Sequence, residues 1–312
     1  MARKIFLSIF LVIVLVLLGL YAFTHFRVQQ INQDIPPAGD FISVDNINLH
    51  YTREGSGSPV VLLHGRDGAL QEYTFSIFDQ LAEENDVIAF DRPGYGHSEW
   101  PEDKELSLEV QARLINKALK KLNIENPLLV GHSYGGAVVL QYLLNYQKEV
   151  SGAVLLAPAS YMDEPPDGSL YSFPNIPVLG PLLTHTILLP VGERIAPNIY
   201  EQSFYPEQAP ENYVNTMTAL YLRPSNFTAT AGELSVMKES LQAISPHYEE
   251  ITVPVTVLFG TSDKMVDLET DGRRLVEDLP NGELTEIEGA GHKLHHTHSD
   301  LVIEAINDVS GF

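Results

Sequence analysis

Five apolar segments in this sequence lack the alternation of apolar and polar residues that is typical of a strand with one solvent-facing side. They are PVVLLHG (59–65), DVIAFDRPG (86–94), NPLLVGHS (126–133), SGAVLLAP (151–158) and ITVPVTVLFG (251–260). A strand that is apolar on both faces has to be covered on both, as in a parallel sheet between helices. Segments with helical periodicity lie among them, at 107–124 and 134–148. The alternation of strand and helix predicts an α/β fold with a mostly parallel, doubly wound sheet.

Further elements are expected at both ends of this pattern. At 41–55 the apolar residues alternate on either side of Asp45-Asn46, which predicts two antiparallel strands joined by a turn. After the last apolar segment we expect a helix near 266–279, a strand at 282–289 and a final helix at 299–308.

Residues 160–247 interrupt the alternation. Eleven of the 20 prolines fall in this interval, and proline breaks a helix in its interior. We therefore expect several short helices here, inserted between two core strands as a helical cap. The predicted core then comprises 41–159 and 248–312. Within the cap, the apolar stretch 174–192 fits a lid packed on the core, or a surface that admits an apolar substrate or touches lipid.

The N-terminus departs from this globular pattern. Arg3 and Lys4 precede about 19 uncharged residues at 5–23. As a helix, such a run spans roughly 30 Å, the thickness of the hydrocarbon core of a bilayer. A cleaved signal peptide or a buried core helix is the alternative, but a signal peptide is usually shorter and ends at a small-x-small site. We predict an uncleaved transmembrane anchor at 1–27 and a short stalk at 28–40, with the N-terminus in the cytoplasm and the rest of the chain on the other side.

Charge and cysteine content exclude several classes of function. With 41 Asp and Glu against 19 Lys and Arg, the formal net charge is −22. A surface this acidic repels phosphate backbones, which argues against a nucleic-acid partner. The chain has no cysteine, which removes disulfides, thiol catalysis and cysteine-ligated metals.

The segment GHSYG (131–135) lies between an apolar strand and a helix. A serine nucleophile on a sharp strand-to-helix turn has this Gly-x-Ser-x-Gly pattern, because the helix returns close to the strand and leaves room only for small residues. Gly131 and Gly135 meet that requirement. An ordinary serine in a loop of an inert sheet is the alternative, but the context favours Ser133 as a nucleophile.

A serine hydroxyl needs a base, and in this architecture an acid and then a histidine follow the serine along the chain. His292 lies on a Gly-flanked loop after the last predicted strand, from which its ring can reach over the sheet edge. Asp263 follows the strand VTVLFG and is placed to orient that ring, although an aspartate there could instead cap a helix. Asp267 comes one helical turn later, and Asp163, after an earlier strand, is the second choice of acid.

Two backbone N–H groups are the expected donors to an oxyanion. One belongs to Tyr134, directly after the nucleophile, and the other to Arg66, in the loop after PVVLLHG. His64, at the start of that loop, is expected to be structural and to bond to loop backbone.

The histidines near the C-terminus allow a second interpretation. His295 and His296 are expected to line or cap the pocket. A zinc site built from His292, His295, His296 and His298 is the alternative, but these spacings match no standard helical pair of ligands. We therefore predict no metal and no cofactor.

Five segments together make the chain resemble the α/β-hydrolase fold superfamily from about residue 41 to 310: LLHGRDG, FDRPGYGHSE, VGHSYGGAV, FGTSDKMV and GAGHKLHH. The resemblance implies a nucleophile, acid and base at Ser133, Asp263 and His292, and a cap that selects the substrate. Epoxide hydrolases and haloalkane dehalogenases of this superfamily carry aspartate at the position of Ser133, so neither activity is expected. The sequence also lacks the His-Gly-Gly-Gly loop of some esterases.

These observations predict a membrane-anchored serine hydrolase, esterase-like or lipase-like, that cleaves a small-molecule ester or related acyl substrate through an acyl-enzyme. The anchor and the apolar cap favour a lipophilic substrate. The same residues also serve amide, thioester or carbon–carbon bond hydrolysis and perhydrolase or haloperoxidase chemistry. A protein of this fold that only binds a ligand is the other alternative, although such a protein would not need an intact triad.

Overall fold

Eight strands form one sheet in the computed structural model, which describes residues 1–100, 106–162 and 173–310. The strands are β1 (Asp40–Val44), β2 (Ile47–Gly55), β3 (Ser58–Leu63), β4 (Asn85–Phe90), β5 (Leu128–His132), β6 (Gly152–Leu156), β7 (Val255–Gly260) and β8 (Gly282–Ile287). In space they follow the order β1-β2-β4-β3-β5-β6-β7-β8. The six strands from β4 to β8 in this order pair in parallel, which confirms the mostly parallel sheet.

The described α-helices lie between and around these strands. They are α1 (Ala2–Asp34), α2 (Gln71–Thr74), α3 (Phe78–Leu81), α4 (Leu108–Lys121), α5 (Tyr134–Tyr146), α6 (Leu179–Thr186), α7 (Leu188–Ser203), α8 (Glu211–Tyr221), α9 (Pro224–Ile244), α10 (Arg274–Asp278), α11 (Leu294–Thr297) and α12 (Ser299–Ser310). Short 3-10 helices occur at Gln147–Glu149, Phe173–Asn175 and Ser245–Glu250. The helix expected near 266–279 consists of a π-helical turn, Leu268–Arg273, followed directly by α10.

The first two strands form the predicted antiparallel hairpin. Val44 pairs with Ile47 across a two-residue turn, and β2 also pairs antiparallel with β4. The turn residues Asp45 and Asn46 have φ angles of 51° and 64°. Aspartate and asparagine tolerate this left-handed conformation, and it matches the twist of a two-residue hairpin.

The continuous apolar strands are explained by helices on both faces of the sheet. Along β3, Val61 and Leu63 point into a cluster with α4 and α5. Val60 and Leu62 point into a second cluster with α2, α3 and α12. Since successive side chains of a strand face opposite sides, a sheet covered twice needs apolar residues at every position.

The segment between β6 and β7 is helical where the structure describes it. Helices α6 to α9 occupy it, and α9 is 21 residues long. The expectation that prolines permit only short helices was wrong for α9 and for the 16-residue α7, which has Pro197 in its interior. Pro224 is the first residue of α9, where the missing N–H needs no partner, and the next proline, Pro246, lies beyond its end.

Helix α1 is continuous for 33 residues and extends into the segment predicted as a stalk, 28–40, as far as Asp34. Ile31 is only 2% exposed, and it belongs to one apolar cluster with Leu189 and Tyr221 of the cap. The polar end of α1 therefore packs on the cap helices instead of forming an extended linker. Among the described helices, α1 is the one long and apolar enough to cross a membrane, a test that a signal sequence also passes.

Arg92 joins the sheet to cap helix α9 in the fully buried interior. Its Nη1 lies 2.6 Å from Glu233 Oε2 and 2.5 Å from Gln111 Oε1. Its Nε donates to the carbonyl of His64 at 2.8 Å. Because a buried charge is tolerated only when it is paired and hydrogen-bonded, this network fixes α9 against the loop that follows β3.

His64 is held in one neutral form by the same network. Its Nδ1 donates to the carbonyl of Gly65 at 2.8 Å, and its Nε2 accepts from the backbone N–H of Arg92 at 2.9 Å. Burial, and then the charge of Arg92, lowers the pKa of His64 to about 4. The geometry agrees with the structural role expected for this histidine.

We predict that the free energy of unfolding falls as the pH drops from about 6.5 towards 4. An unfolded His64 takes up a proton below 6.5, whereas the folded one stays neutral down to about 4. The contribution of neutral His64 to the free energy of unfolding is thus fully present above pH 6.5. It is lost on acidification, by about 1.4 kcal/mol for each unit of difference between the folded and unfolded pKa. Thermal unfolding between pH 7 and 4 measures the effect.

The matched variants for this measurement are His64→Gln and His247→Gln. His247 is exposed, so its replacement controls for the loss of a histidine that the folded chain does not bury. The His64 variant should have a shallower slope. A wild-type Tm that is constant from pH 6.5 to 4 would contradict the prediction.

Candidate active site

A cavity of about 410 Å³ lies at the carboxyl edge of the sheet, beneath the cap. The residues predicted from the sequence as nucleophile, base and oxyanion donors all line it: Ser133, His292, Arg66 and Tyr134. Tyr200 of α7 and Met237 of α9 line it from the cap side. The fold therefore brings to one cavity residues that are more than 200 positions apart in the chain.

Ser133 occupies a strained turn between β5 and α5. Its φ and ψ angles are 52° and −121°, a conformation that L-residues rarely adopt. A Cβ on Gly131 would lie 2.6 Å from the carbonyl oxygen of Gly135, and one on Gly135 would collide with the carbonyl oxygen of Leu63. Only glycine at both positions allows the helix to return this close to β5 and its neighbour β3. The turn thus presents the serine side chain at the edge of the sheet.

Asp263 and His292 are in direct contact. The Asp263 Oδ2 lies 2.7 Å from the His292 Nδ1, and both side chains are buried. Asp263 Oδ1 also accepts the backbone N–H groups of Met265 and Val266, so this one carboxylate both orients the ring and caps its own turn. Burial raises the pKa of Asp263, but the His292 ring and these hydrogen bonds outweigh it and lower the pKa below its ordinary value.

Ser133 and His292 line the same cavity, and within the described residues no hydrogen bond yet joins the Ser133 hydroxyl to the ring. Hydrogen bonds between catalytic groups are often long until a substrate is bound, so the shared cavity is the observation that relates Ser133 to His292. Tyr134 is the first residue of α5, where backbone N–H groups have no partner inside the helix.

The loop that carries Arg66 is held in place by the cap. The Tyr200 hydroxyl donates to the carbonyl of Asp67 at 2.8 Å, and the Thr230 hydroxyl donates to the Asp67 carboxylate at 2.8 Å. Asp67 has a φ angle of 58°, which bends the loop towards the cavity. The cap therefore holds the loop of Arg66, while the core helix α5 holds Tyr134, the other predicted oxyanion donor.

Of the other candidate residues, Asp267 also lines this cavity, but its carboxylate has a different partner. Asp267 caps the π-helical turn by accepting the N–H of Thr270 at 2.9 Å, and Asp163 lies outside the described residues. The expectation that His295 and His296 line the cavity was wrong. The side chain of His295 is fully buried beside Tyr73, and His296 packs against Phe204 and Tyr213.

Glu72 of α2 is a buried carboxylate that the sequence did not single out. It accepts from Lys293 Nζ at 2.7 Å and lies 3.0 Å from His132 Nδ1. It also accepts the backbone N–H of Gly65 at 3.3 Å and the hydroxyl of Tyr213 at 3.4 Å. These contacts join the residue before Ser133, the residue after His292, the Arg66 loop and the cap. Nothing in the sequence LQEYT marks this glutamate, because its partners come from distant segments.

The Glu72 carboxylate is surrounded by the ammonium of Lys293 and by the buried rings of His132 and His295. Burial raises the pKa of Glu72, but Lys293 and His132 outweigh it and hold the pKa well below its ordinary value. Ligand atoms of Glu72, His132 and His295 lie within 4.8 Å of one another, close enough to hold a cation. The ammonium of Lys293 already neutralises the carboxylate, so we assign the cluster a structural role and not that of a metal site.

Comparison with known proteins identifies the family. The sequence profile described as the alpha/beta hydrolase fold matches residues 58–299, so the chain belongs to the α/β-hydrolase fold family. It is 26% identical over 274 residues to the 2-hydroxy-6-oxononadienedioate/2-hydroxy-6-oxononatrienedioate hydrolase of Paraburkholderia phymatum, which covers 85% of this chain and 91% of that protein.

Solved structures share the same architecture. An esterase from Exiguobacterium antarcticum superposes with a TM-score of 0.67 at 23% identity, covering 88% of this chain and 100% of that one. A bromoperoxidase from Bacillus anthracis gives a TM-score of 0.71 at 21% identity, with the same coverage. Because proteins named for different reactions share this fold, the residues of the site have to indicate the chemistry.

We predict that Glu72→Gln lowers Tm and slows covalent labelling of the chain by a fluorophosphonate. The substitution leaves the ammonium of Lys293 buried without its counter-charge, and breaking a buried pair on one side costs about 3–5 kcal/mol. The three loops that Glu72 joins, those of His292, Ser133 and Arg66, should then move apart. Thermal unfolding and the second-order rate of labelling measure the two effects.

Two controls accompany this variant: one removes an exposed charge, and the other removes both charges of the Glu72–Lys293 pair. Glu84→Gln, at an exposed glutamate, should behave like the wild type. Adding Lys293→Met to Glu72→Gln should restore part of the lost Tm, because it removes the stranded charge. A Glu72→Gln variant with unchanged Tm and labelling rate would contradict the structural role.

Proposed function

We propose that this α/β-hydrolase is a serine esterase that cleaves a carboxylic ester through an acyl-enzyme. The observation that carries the proposal is the position of Ser133, on a strained turn that opens into the same cavity as the hydrogen-bonded pair of Asp263 and His292. A nucleophile, a base and a group that orients the base are the parts that acyl transfer requires.

The first half of the reaction acylates the serine. His292 Nε2 takes the proton of the Ser133 hydroxyl as its oxygen attacks the ester carbonyl, and Asp263 stabilises the ring while it carries the charge. The N–H groups of Arg66 and Tyr134 stabilise the oxyanion that forms. The tetrahedral intermediate then collapses, the ester C–O bond breaks, and His292 gives the proton to the departing alcohol.

The second half returns the enzyme to its starting state. His292 takes a proton from a water molecule, whose oxygen attacks the acyl carbon. The bond to the serine oxygen breaks, the serine recovers the proton, and the carboxylic acid leaves. The side chains and backbone groups named here supply every proton transfer and charge contact in this scheme.

We further propose that α1 is an uncleaved membrane anchor. Its apolar run is long enough to span the hydrocarbon core, and Arg3 and Lys4 at its start favour a cytoplasmic N-terminus, with the catalytic part on the other side. Ile31 packs in the cap cluster, so removal of this helix would expose apolar cap surface. Alkaline extraction of membranes, followed by mass analysis of the intact chain, distinguishes an anchor from a cleaved signal peptide.

We predict that a fluorophosphonate probe labels the chain and that Ser133→Ala abolishes the labelling. Asp263→Asn should reduce ester turnover by roughly 10³- to 10⁴-fold, because the ring of His292 loses the tautomer that can act as base. Gel fluorescence of the labelled chain and hydrolysis of p-nitrophenyl esters provide the measurements.

The control for this experiment is Ser235→Ala, at an exposed serine of α9. It should label and turn over substrate like the wild type. Labelling that persists in Ser133→Ala, or a folded wild type that neither labels nor hydrolyses any ester, would refute the proposed mechanism.

A further inference from the structure

A second cavity, of about 230 Å³, lies inside the cap and has an almost entirely apolar lining. Helix α7 supplies half of its lining residues, α6 supplies Leu183, and side chains from the segments around them close it. The residues that define it are Phe173, Leu183, Ile187, Val191, Ile195 and Phe227. With so few polar groups it has little to offer a charged or hydrogen-bonding ligand, and an unbranched hydrocarbon suits it best.

This cap cavity adjoins the cavity that holds Ser133. Ile199 of α7 lines both of them, so the two cavities meet at this side chain. An ester whose carbonyl lies at Ser133 can therefore extend its apolar part past Ile199 into the cap. The two cavities together provide a polar end for the reacting group and an apolar end for a chain.

The cap cavity opens to the outside through apolar side chains on α7 and its start. Ile187, Val191 and Ile195 line it and are still 39%, 44% and 49% exposed. Leu179 and Leu182 of α6 are also exposed. An exposed cluster of large apolar side chains at the mouth of an apolar cavity is a typical contact surface for lipid or another apolar partner.

Helix α1 packs directly beside this mouth. The Tyr21 ring lies 6.1 Å from the His185 ring of α6, and Arg27 Nε lies 2.8 Å from Glu193 Oε1 of α7. Tyr21 lies near the end of the apolar run, where tyrosine is typical of the membrane surface. An anchor inserted in a bilayer would therefore hold α6 and the exposed side chains of α7 at the level of that surface.

We propose that the cap cavity binds the acyl chain of a membrane lipid ester, which enters between α6 and α7 from the bilayer and places its carbonyl at Ser133. This inference rests on the proposed esterase function and on α1 as an anchor. It assigns the acyl chain to the cap cavity and the ester to the Ser133 cavity, with Ile199 between them. It also gives a reason for the contacts between α1 and the cap, the ion pair of Arg27 with Glu193 and the packing of Ile31.

The test compares esters of different chain length in phosphatidylcholine vesicles that contain the full-length protein. The substrates are 4-methylumbelliferyl oleate, dissolved in the bilayer, and 4-methylumbelliferyl acetate, which is soluble. Ile195→Trp fills the cap cavity, so the ratio of kcat/KM for oleate to that for acetate should fall at least tenfold. Val191 lines the cavity one helical turn before Ile195. Val191→Trp therefore fills the same cavity and takes the place of Ile195→Trp if that variant does not fold. Leu301→Trp, at an exposed leucine of α12, is the control and should keep the wild-type ratio.

A second arm tests entry from the bilayer. Arg27→Gln removes the ion pair to Glu193 and should slow oleate hydrolysis in vesicles more than in detergent micelles, where no bilayer orients the cap. If Arg27→Gln slows oleate hydrolysis by the same factor in vesicles and in micelles, entry from the bilayer is refuted. A chain-length ratio that both tryptophan variants leave unchanged would refute the cap cavity as the acyl site, while Ser133-dependent acetate turnover would still support the esterase. If neither ester is hydrolysed and no probe labels Ser133, the proposed function itself fails, and this inference with it.

Discussion

The carboxylate of Glu72 is the interaction on which the geometry of the site depends. It contacts Lys293, His132 and the backbone of Gly65, which belong to the three loops carrying the base, the nucleophile and an oxyanion donor. Each loop leaves the sheet at its carboxyl edge, and without a common partner each could move independently. A buried charge has few alternative arrangements, because any position that leaves it unpaired costs several kcal/mol. The cluster therefore fixes the distances between the loops.

A second buried ion pair does the same for the cap. Arg92 and Glu233 connect the loop after β3 with α9, and the hydroxyl of Tyr95 donates to the same glutamate at 2.8 Å. Glu72 bonds to His132, the residue before Ser133, and the Arg92 guanidinium lies 5.3 Å from the ring of Tyr134, the residue after it, so the strained turn is supported on both sides. Strain of this kind persists only where the surroundings over-determine the conformation. The apolar end of the substrate path, in contrast, depends on side-chain shape alone.

Much of this arrangement was accessible from the sequence because it depends on local pattern. The parallel strands, the hairpin at Asp45-Asn46 and the glycines around Ser133 follow from periodicity and from steric limits that act within a few residues. The expectations that failed have different causes. The length of α9 depends on where its prolines lie, at Pro224 and beyond its end, and not on how many the segment contains. The packed end of α1 was missed because polarity does not reveal what a helix packs against. His295 was misplaced because the sequence does not show which side chains of the four-residue helix α11 face the core.

The sequence by itself determined the fold class and the order of Ser133, Asp263 and His292, since burial on both faces of a sheet and the steric needs of the turn are written into consecutive residues. The tertiary structure alone decided which side chains meet. Glu72 is an unremarked glutamate in the sequence, and Ile199 an ordinary apolar residue of a helix. Their roles arise because folding places distant segments a few ångströms apart, and electrostatic and packing energies depend on distance in space and not along the chain.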